Sequence, residues 1–222
     1  MKINRNVQSH SGRVPIDTST RRSRQKSDRR SALLTAAERL IAEKGFQTVR
    51  IEDIGAAAGV SGPAVYRHFP NKEALLVELL VGISTRLLAG ARSVVDAAAE
   101  PEAALAGLIE FHLDFALGES DLIRIQDRDL AHLPASAQRQ VRRAQRSYVE
   151  VWVEVLRQVH PDTAEADARL MAHAVFGLLN STPHSMKPLA ARGADQGRSR
   201  DVLRAMTVAA LSSADRHARS TG

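Results

Sequence analysis

Between Gly59 and Lys72 the chain sets small residues and polar tips in close succession: Ser61, Gly62, Pro63 and Ala64, then Tyr66, Arg67, His68 and Lys72. Small side chains let a backbone approach a phosphate or a base edge. Phenol, guanidinium, imidazole and ammonium groups can all donate hydrogen bonds to phosphate oxygens. Of Gly62, Pro63, Ala64 and Arg67, only Arg67 can pair with guanine through two hydrogen bonds. The chemistry indicated is recognition of nucleic acid. Bond-making chemistry has less material: there is no cysteine, so thiolate nucleophiles, disulfides and cysteine-ligated metals are excluded. No Gly-x-Ser-x-Gly, phosphate loop or His-Glu-x-x-His occurs, and the histidines include no pair four residues apart. No cofactor or metal is expected.

Charge points the same way. The chain carries a net +6, of which residues 1–30 hold +7 and the remainder −1. Arg21, Arg22, Arg24 and Lys26 belong to this basic stretch. A basic segment on a near-neutral body suits an anionic partner, although a solubilising tail has the same composition. The amino terminus has no apolar run behind its basic residues, and the longest uncharged stretch of the second half, Leu170–Met186, is too polar for a membrane span. A cytoplasmic protein without a membrane partner is the expectation.

The elements that must position these residues are helical. Residues 1–27 lack apolar periodicity and read as a disordered basic arm. Leu33, Leu34, Ala37, Leu40 and Ile41 then fall at helical spacing, ended by Gly45. A short helix over Ile51–Ala58 and another from Ser61 to about His68 flank Gly59, with Ser61 as N-cap and Pro63 in the first turn. Asn71 caps a long helix to about Ala98. Further helices are predicted over 101–117, 121–132, 134–159, 164–181 and about 199–216, with a mobile loop at 187–200. No segment alternates with period two. The fold class is all-α, about nine helices: an amino-terminal unit over 28–76 and a larger bundle over 77–218.

Two short helices joined by Ala58-Gly59-Val60-Ser61 make a helix-turn-helix, whose second helix can enter a major groove. An ordinary helical hairpin can use the same turn. The combination Gly45-Phe46, Ile51, Asp53-Ile54, Ala58-Gly59-Val60-Ser61, Val65-Tyr66, His68-Phe69, Asn71-Lys72-Glu73 and Leu75 resembles the DNA-binding domain of the TetR family of bacterial transcriptional regulators. The likeness covers about 50 residues without a gap. It implies that Tyr66, His68 and Lys72 meet phosphates, and that Ser61, Gly62, Pro63, Ala64 and Arg67 face the groove. It also implies a core of Phe46, Ile54, Val60, Val65 and Phe69. Two positions depart. Arg50 stands where the family has a hydroxyl that caps the second helix and touches phosphate; arginine keeps only the contact. Gly55 replaces the usual alanine, at a helix-propensity cost of about 1 kcal/mol.

The resemblance further implies a homodimer through the last two helices, with Met171, Val175, Gly177, Leu178, Leu203, Met206 and Ala210 at the seam. It implies a small-molecule effector in the larger bundle. His112, Phe115, Tyr148, Trp152, Phe176 and Asn180 are polar or aromatic on otherwise apolar faces, and together could line one cavity. The expected function is a repressor that binds a palindromic operator in double-stranded DNA and is released by an effector such as an acyl-CoA or another lipid metabolite. The alternatives are an activator, a helical enzyme, or an adaptor with a relic helix-turn-helix.

Overall fold

The computed structural model describes residues 18–190 and 196–212, with side chains over 23–181 and 197–212. Among the described residues there are nine α-helices and no strand. They are α1 (Thr18–Lys44), α2 (Ile51–Ala57), α3 (Gly62–Val65), α4 (Lys72–Ala97), α5 (Pro101–Gly118), α6 (Ser120–Asp129), α7 (Ala135–Val159), α8 (Glu165–Ala190) and α9 (Gln196–Ser212). A single 3-10 turn, Leu130–His132, follows α6.

Several boundaries differ from expectation; α3 ends at Val65 and not near His68, and α6 ends at Asp129, with 130–132 a 3-10 turn. Residues 18–27 are the first turns of α1 rather than disordered arm. Arg, Gln and Lys have good helix propensity, so a polar segment with nothing to bury can still extend a helix. The described residues 23–29 of that extension are all exposed. Residues 1–17 lie outside the described part. Helix α8 continues through Pro183 and Pro188 to Ala190, so 187–190 are helical and not a loop. A proline removes one backbone donor, and neighbouring turns can carry the helix past it. Residues 196–200 likewise belong to α9, and 213–216 lie outside the described residues.

Two apolar clusters organise the chain. The first joins Leu33, Ile41, Phe46, Ile54, Val65 and Phe69 to Leu75, Leu76 and Leu80 of α4, and also takes in Leu122 and Ile125 of α6 and Val141 of α7. The second is built from α5, the rest of α7, α8 and α9, with Trp152, Leu108, Leu113 and Leu156 fully buried. Helix α4 serves both. The expected division at residue 76 therefore falls inside a continuous helix. By length and composition α4 could cross a membrane. Its burial of Leu75, Leu76, Leu79, Leu80, Ile83 and Ala91 makes it the central core helix instead. Helix α9 is pinned to α5 by Arg200 and Arg204, which both bond Glu110 and hold that carboxyl down at about 2.

Candidate nucleic-acid interface and effector cavity

The turn between α2 and α3 is made by Gly59, whose φ of 69° is open to glycine at little cost. Gly55 has a different reason. A methyl added there would sit 2.9 Å from Val65 Cγ2 and 3.0 Å from the Val60 carbonyl oxygen. The two short helices thus cross too closely for alanine, and the propensity cost of glycine is the condition for that approach. At the start of α2, Arg50 occupies the N-cap and its own N–H donates to Asp53 Oδ2 at 3.0 Å. Its guanidinium has no acceptor to offer the helix and lies exposed. Ser61 is at the N-cap of α3, but its hydroxyl makes no capping bond, contrary to expectation; its carbonyl accepts from Ala64 and Val65 instead. Asn71 does cap α4, accepting from the Ala74 N–H at 2.7 Å.

Phe46, Ile54, Val65 and Phe69 are buried and Val60 half-buried, as their assignment to the small core requires. Outward lie Pro63, Tyr66 and Arg67, with Tyr66 about half exposed; Gly62 and Ala64 are partly covered. Arg24 is exposed on α1, whereas the side chains of Arg21 and Arg22 lie outside the described residues. His68 is half-buried, and its Nδ1 has no hydrogen-bond partner among the described residues. Burial first, and then the cations Arg30, Lys26, Arg29 and Arg67, lower its pKa. Burial and these cations both favour its neutral form.

Lys72 departs from its expected role. Its ammonium donates to the carbonyls of Phe46 at 2.7 Å, Val49 at 2.9 Å and Gln47 at 3.4 Å, and sits 4.4 Å from the centre of the Phe46 ring. All three donors are engaged inside the protein, so Lys72 braces the α1–α2 connection instead of offering itself to phosphate. Arg30 is a second brace. It bonds Glu78 of α4 through Nε at 2.8 Å, donates to the His68 carbonyl at 2.7 Å, and covers Phe69 at 4.2 Å. These struts fix the helix-turn-helix against α1 and α4.

In the larger bundle a cavity of about 480 Å³ opens between α4, α5, α6, α7 and α8. His112, Phe115, Tyr148, Phe176 and Asn180 all line it, as expected. Trp152 does not: it is fully buried behind them, edge-on to His112 and Phe176 at ring separations of 6.0 and 5.3 Å. His112 Nδ1 is 2.8 Å from the Tyr148 hydroxyl, and its Nε2 is 3.1 Å from Asn180 Oδ1. With the amide oxygen as acceptor, Nε2 carries the proton and Nδ1 accepts from the phenol. Burial pushes His112 down to about 4 and Tyr148 up, so the chain of three is neutral. Both nitrogens of His112 are occupied. The walls also include Ile83, Leu87, Ile123 and Val149, and the mouth carries Arg142, Arg146 and Arg169. These arginines were not singled out from the sequence. Arg142 and Arg146 stand four residues apart on a helix, a signal shared with any solvated charge run.

The seam residues divide. Met206 and Gly177 are exposed, as is Ala210, and Met171 and Leu178 are half-buried. Val175 and Leu203 are only 2% and 4% exposed, inside the second core. Their faces of α8 and α9 pack within the protomer, so neither is available to a partner.

The amino-terminal unit, residues 33–79, matches the family described as bacterial regulatory proteins, tetR family, and residues 98–188 match the tetracyclin repressor-like C-terminal domain. The HTH-type transcriptional repressor KstR2 of Mycobacterium tuberculosis is 31% identical over 142 residues, 60% of this chain and 68% of that relative. The chain belongs to the TetR family. As such it is a DNA-binding transcriptional regulator. Solved TetR-like folds agree. AibR in complex with isovaleryl coenzyme A and operator DNA superposes with a TM-score of 0.66 at 20% identity, covering 80% of this chain and 97% of that one. FadR from Bacillus subtilis in complex with stearoyl-CoA gives 0.60 at 20% identity, covering 82% and 96%. At that identity the likeness is one of fold.

Proposed function

We propose that this TetR-family regulator is a cytoplasmic homodimeric repressor, without enzymatic activity, that leaves a palindromic operator when an amphipathic acyl metabolite fills the cavity. One observation carries the reading: α6 belongs to both halves. Ile123, Gln126 and Asp127 line the cavity, while Leu122 and Ile125 enter the amino-terminal core. Arg128, next along α6, bonds the carbonyls of Ile41 and Ala42 near the end of α1. A ligand that moves α6 therefore moves α1 and the helix-turn-helix with it, which is the differential contact that linkage requires. Relatives and neighbours named as a repressor and as coenzyme A complexes favour a repressor and an acyl thioester. The apolar walls favour an aliphatic chain.

The dimer reading is supported by a stripe on the last two helices. Leu170, Val202 and Met206 are 68%, 50% and 50% exposed, and Ala174, Gly177, Ala209 and Ala210 continue the same faces. Small residues between apolar ones suit a two-fold helix seam. Two copies would set α3 of each protomer in successive major grooves about 34 Å apart, with Tyr66, His68 and Arg50 at phosphates and Arg67 at a base edge. The test is sedimentation combined with operator binding. Met206→Glu should give a monomer that binds a half-site weakly. A Met206→Glu dimer with full affinity would place the seam elsewhere.

A further inference from the structure

Resting on the reading of the cavity as the effector site, we infer that the exposed arginines of α7 form a phosphate subsite at its mouth, so that the effector is an acyl chain on a phosphate-bearing carrier rather than a free fatty acid. Five charged residues line the mouth: Asp127, Arg142, Arg146, Glu150 and Arg169. Arg169 is already paired, with Glu150 at 2.6 and 2.9 Å and Glu165 at 2.9 Å. Arg142 and Arg146 are exposed and form no ion pair or hydrogen bond among the described residues, and the same holds for Arg139. The three recur at i, i+3 and i+7, on one face of α7. Arg142 and Arg146 line the mouth, and Arg139, outside the lining, extends the row to about 10 Å at the helical rise, more than a single phosphate covers.

Inward from this ladder the cavity changes character. Its inner polar groups are neutral: Asn180 with His112 and Tyr148, where ionisation is suppressed by burial, and the hydrogen-bonded pair Ser84 and Gln126. A carboxylate placed there would lose its hydration against uncharged partners, which is costly. A thioester or other neutral polar group would not. The site thus separates its preferences: neutral and apolar inside, anionic outside. A cavity of about 480 Å³ holds an acyl chain with its linkage, and a bulky charged carrier must remain outside, where the arginines stand. Guanidinium–phosphate pairs are charge-assisted and often two-pronged, which is why unpaired arginines suit this role better than a single cation would.

The test is calorimetric binding of butyryl-, octanoyl- and palmitoyl-CoA, each beside the matched acyl-pantetheine, which has the same chain and thioester but no phosphate. Free coenzyme A is a third probe. Wild type should bind the preferred acyl-CoA at least about tenfold tighter than its pantetheine ester. Arg142→Gln/Arg146→Gln should remove that difference and leave the pantetheine ester unchanged. Arg143→Gln, an exposed arginine off the mouth, should keep it. Operator affinity without ligand should be the same in all three proteins. Equal wild-type affinity for both thioesters would overturn the phosphate subsite while leaving the cavity reading intact. A double variant that loses both thioesters alike, or loses operator affinity, would also overturn it. If no thioester binds, the acyl reading falls; the subsite then stands only if free coenzyme A binds and the double variant loses it.

Discussion

The amino-terminal unit and the larger bundle are built from similar helices, yet they treat their polar groups in opposite ways. Around the helix-turn-helix, the cations within reach of the core are engaged: Lys72 on three carbonyls, Arg30 on Glu78 and the His68 carbonyl. Outward on the helix-turn-helix stand Tyr66, Arg67 and Arg50, with Arg24, Lys26 and Arg29 exposed on α1. In the bundle, a cavity of about 480 Å³ is left open, lined by a neutral hydrogen-bonded chain and edged by Arg142 and Arg146, which have no ion pair among the described residues. A surface that must fit rigid DNA is braced so that little rearranges on binding. A cavity that must respond to a ligand keeps its slack where the ligand goes, and stability is lowest where function needs motion.

Truncating one aromatic in each region should expose the contrast most strongly. Phe69 is 1% exposed beneath Arg30, so Phe69→Ala should cost about 3–5 kcal/mol and abolish operator binding at physiological temperature. Phe176 is half-buried on the cavity wall, so Phe176→Ala should cost about 1–2 kcal/mol and chiefly alter the ligand response. Chemical denaturation of both variants measures the difference; equal losses would erase the distinction between a braced and an open region.

Lys72 comes next. Lys72→Met should lower stability by about 1–2 kcal/mol, because three carbonyls and the Phe46 ring lose their cation. The slope of log affinity against log salt should stay as in wild type. A direct phosphate contact would instead reduce it by about one unit.

These two positions also show what could be read from the sequence. Apolar spacing and punctuation by Gly45, Gly59, Pro101 and Asn71 are local, and they placed α2 to α7 within a few residues. The cavity set was legible because polar and aromatic residues on apolar faces are rare, and five of the six meet there. Lys72 was not legible, because its partners lie 23 to 26 residues away in the chain and only the folded connection brings them together. Val175 and Leu203 were misplaced for a related reason. A helix of a bundle has two apolar faces, and sequence spacing does not say which one turns inward. The Thr18 start of α1 escaped notice because helix propensity without an apolar face leaves no periodic signal.

Smaller effects separate the two caps. Asn71→Ala should cost about 1 kcal/mol, since its side chain holds the Ala74 N–H. Ser61→Ala should change stability by less than about 0.5 kcal/mol, since its hydroxyl makes no cap bond. Thermal midpoints of the pair suffice, and a larger loss at Ser61 would show that the hydroxyl caps α3 in solution.

The smallest effect lies at the junction of the regions, on a half-exposed group. Glu38 of α1 is raised to about 7 by burial, with Glu119 and Asp121 adding repulsion and Arg86 opposing it. Its folded-state pKa lies above the unfolded value of 4.5, so folding takes up a proton. That contribution is fully present below the unfolded value of 4.5 and is lost as pH rises from there through about 7. Glu38→Gln should therefore flatten the fall in melting temperature between pH 5.5 and 8. An unchanged pH profile would contradict the burial argument.

Linkage between cavity and operator is the central claim, and one measurement tests it directly: the affinity of an acyl-CoA for the full-length protein, with and without a saturating duplex selected by the protein from random sequence. Trp152, fully buried against the His112 group and the only tryptophan, supplies the signal. Operator should weaken ligand binding by the same factor by which ligand weakens operator binding. Asn180→Leu should shrink both factors together while leaving ligand-free operator affinity unchanged. Equal acyl-CoA affinity with and without operator would contradict the account.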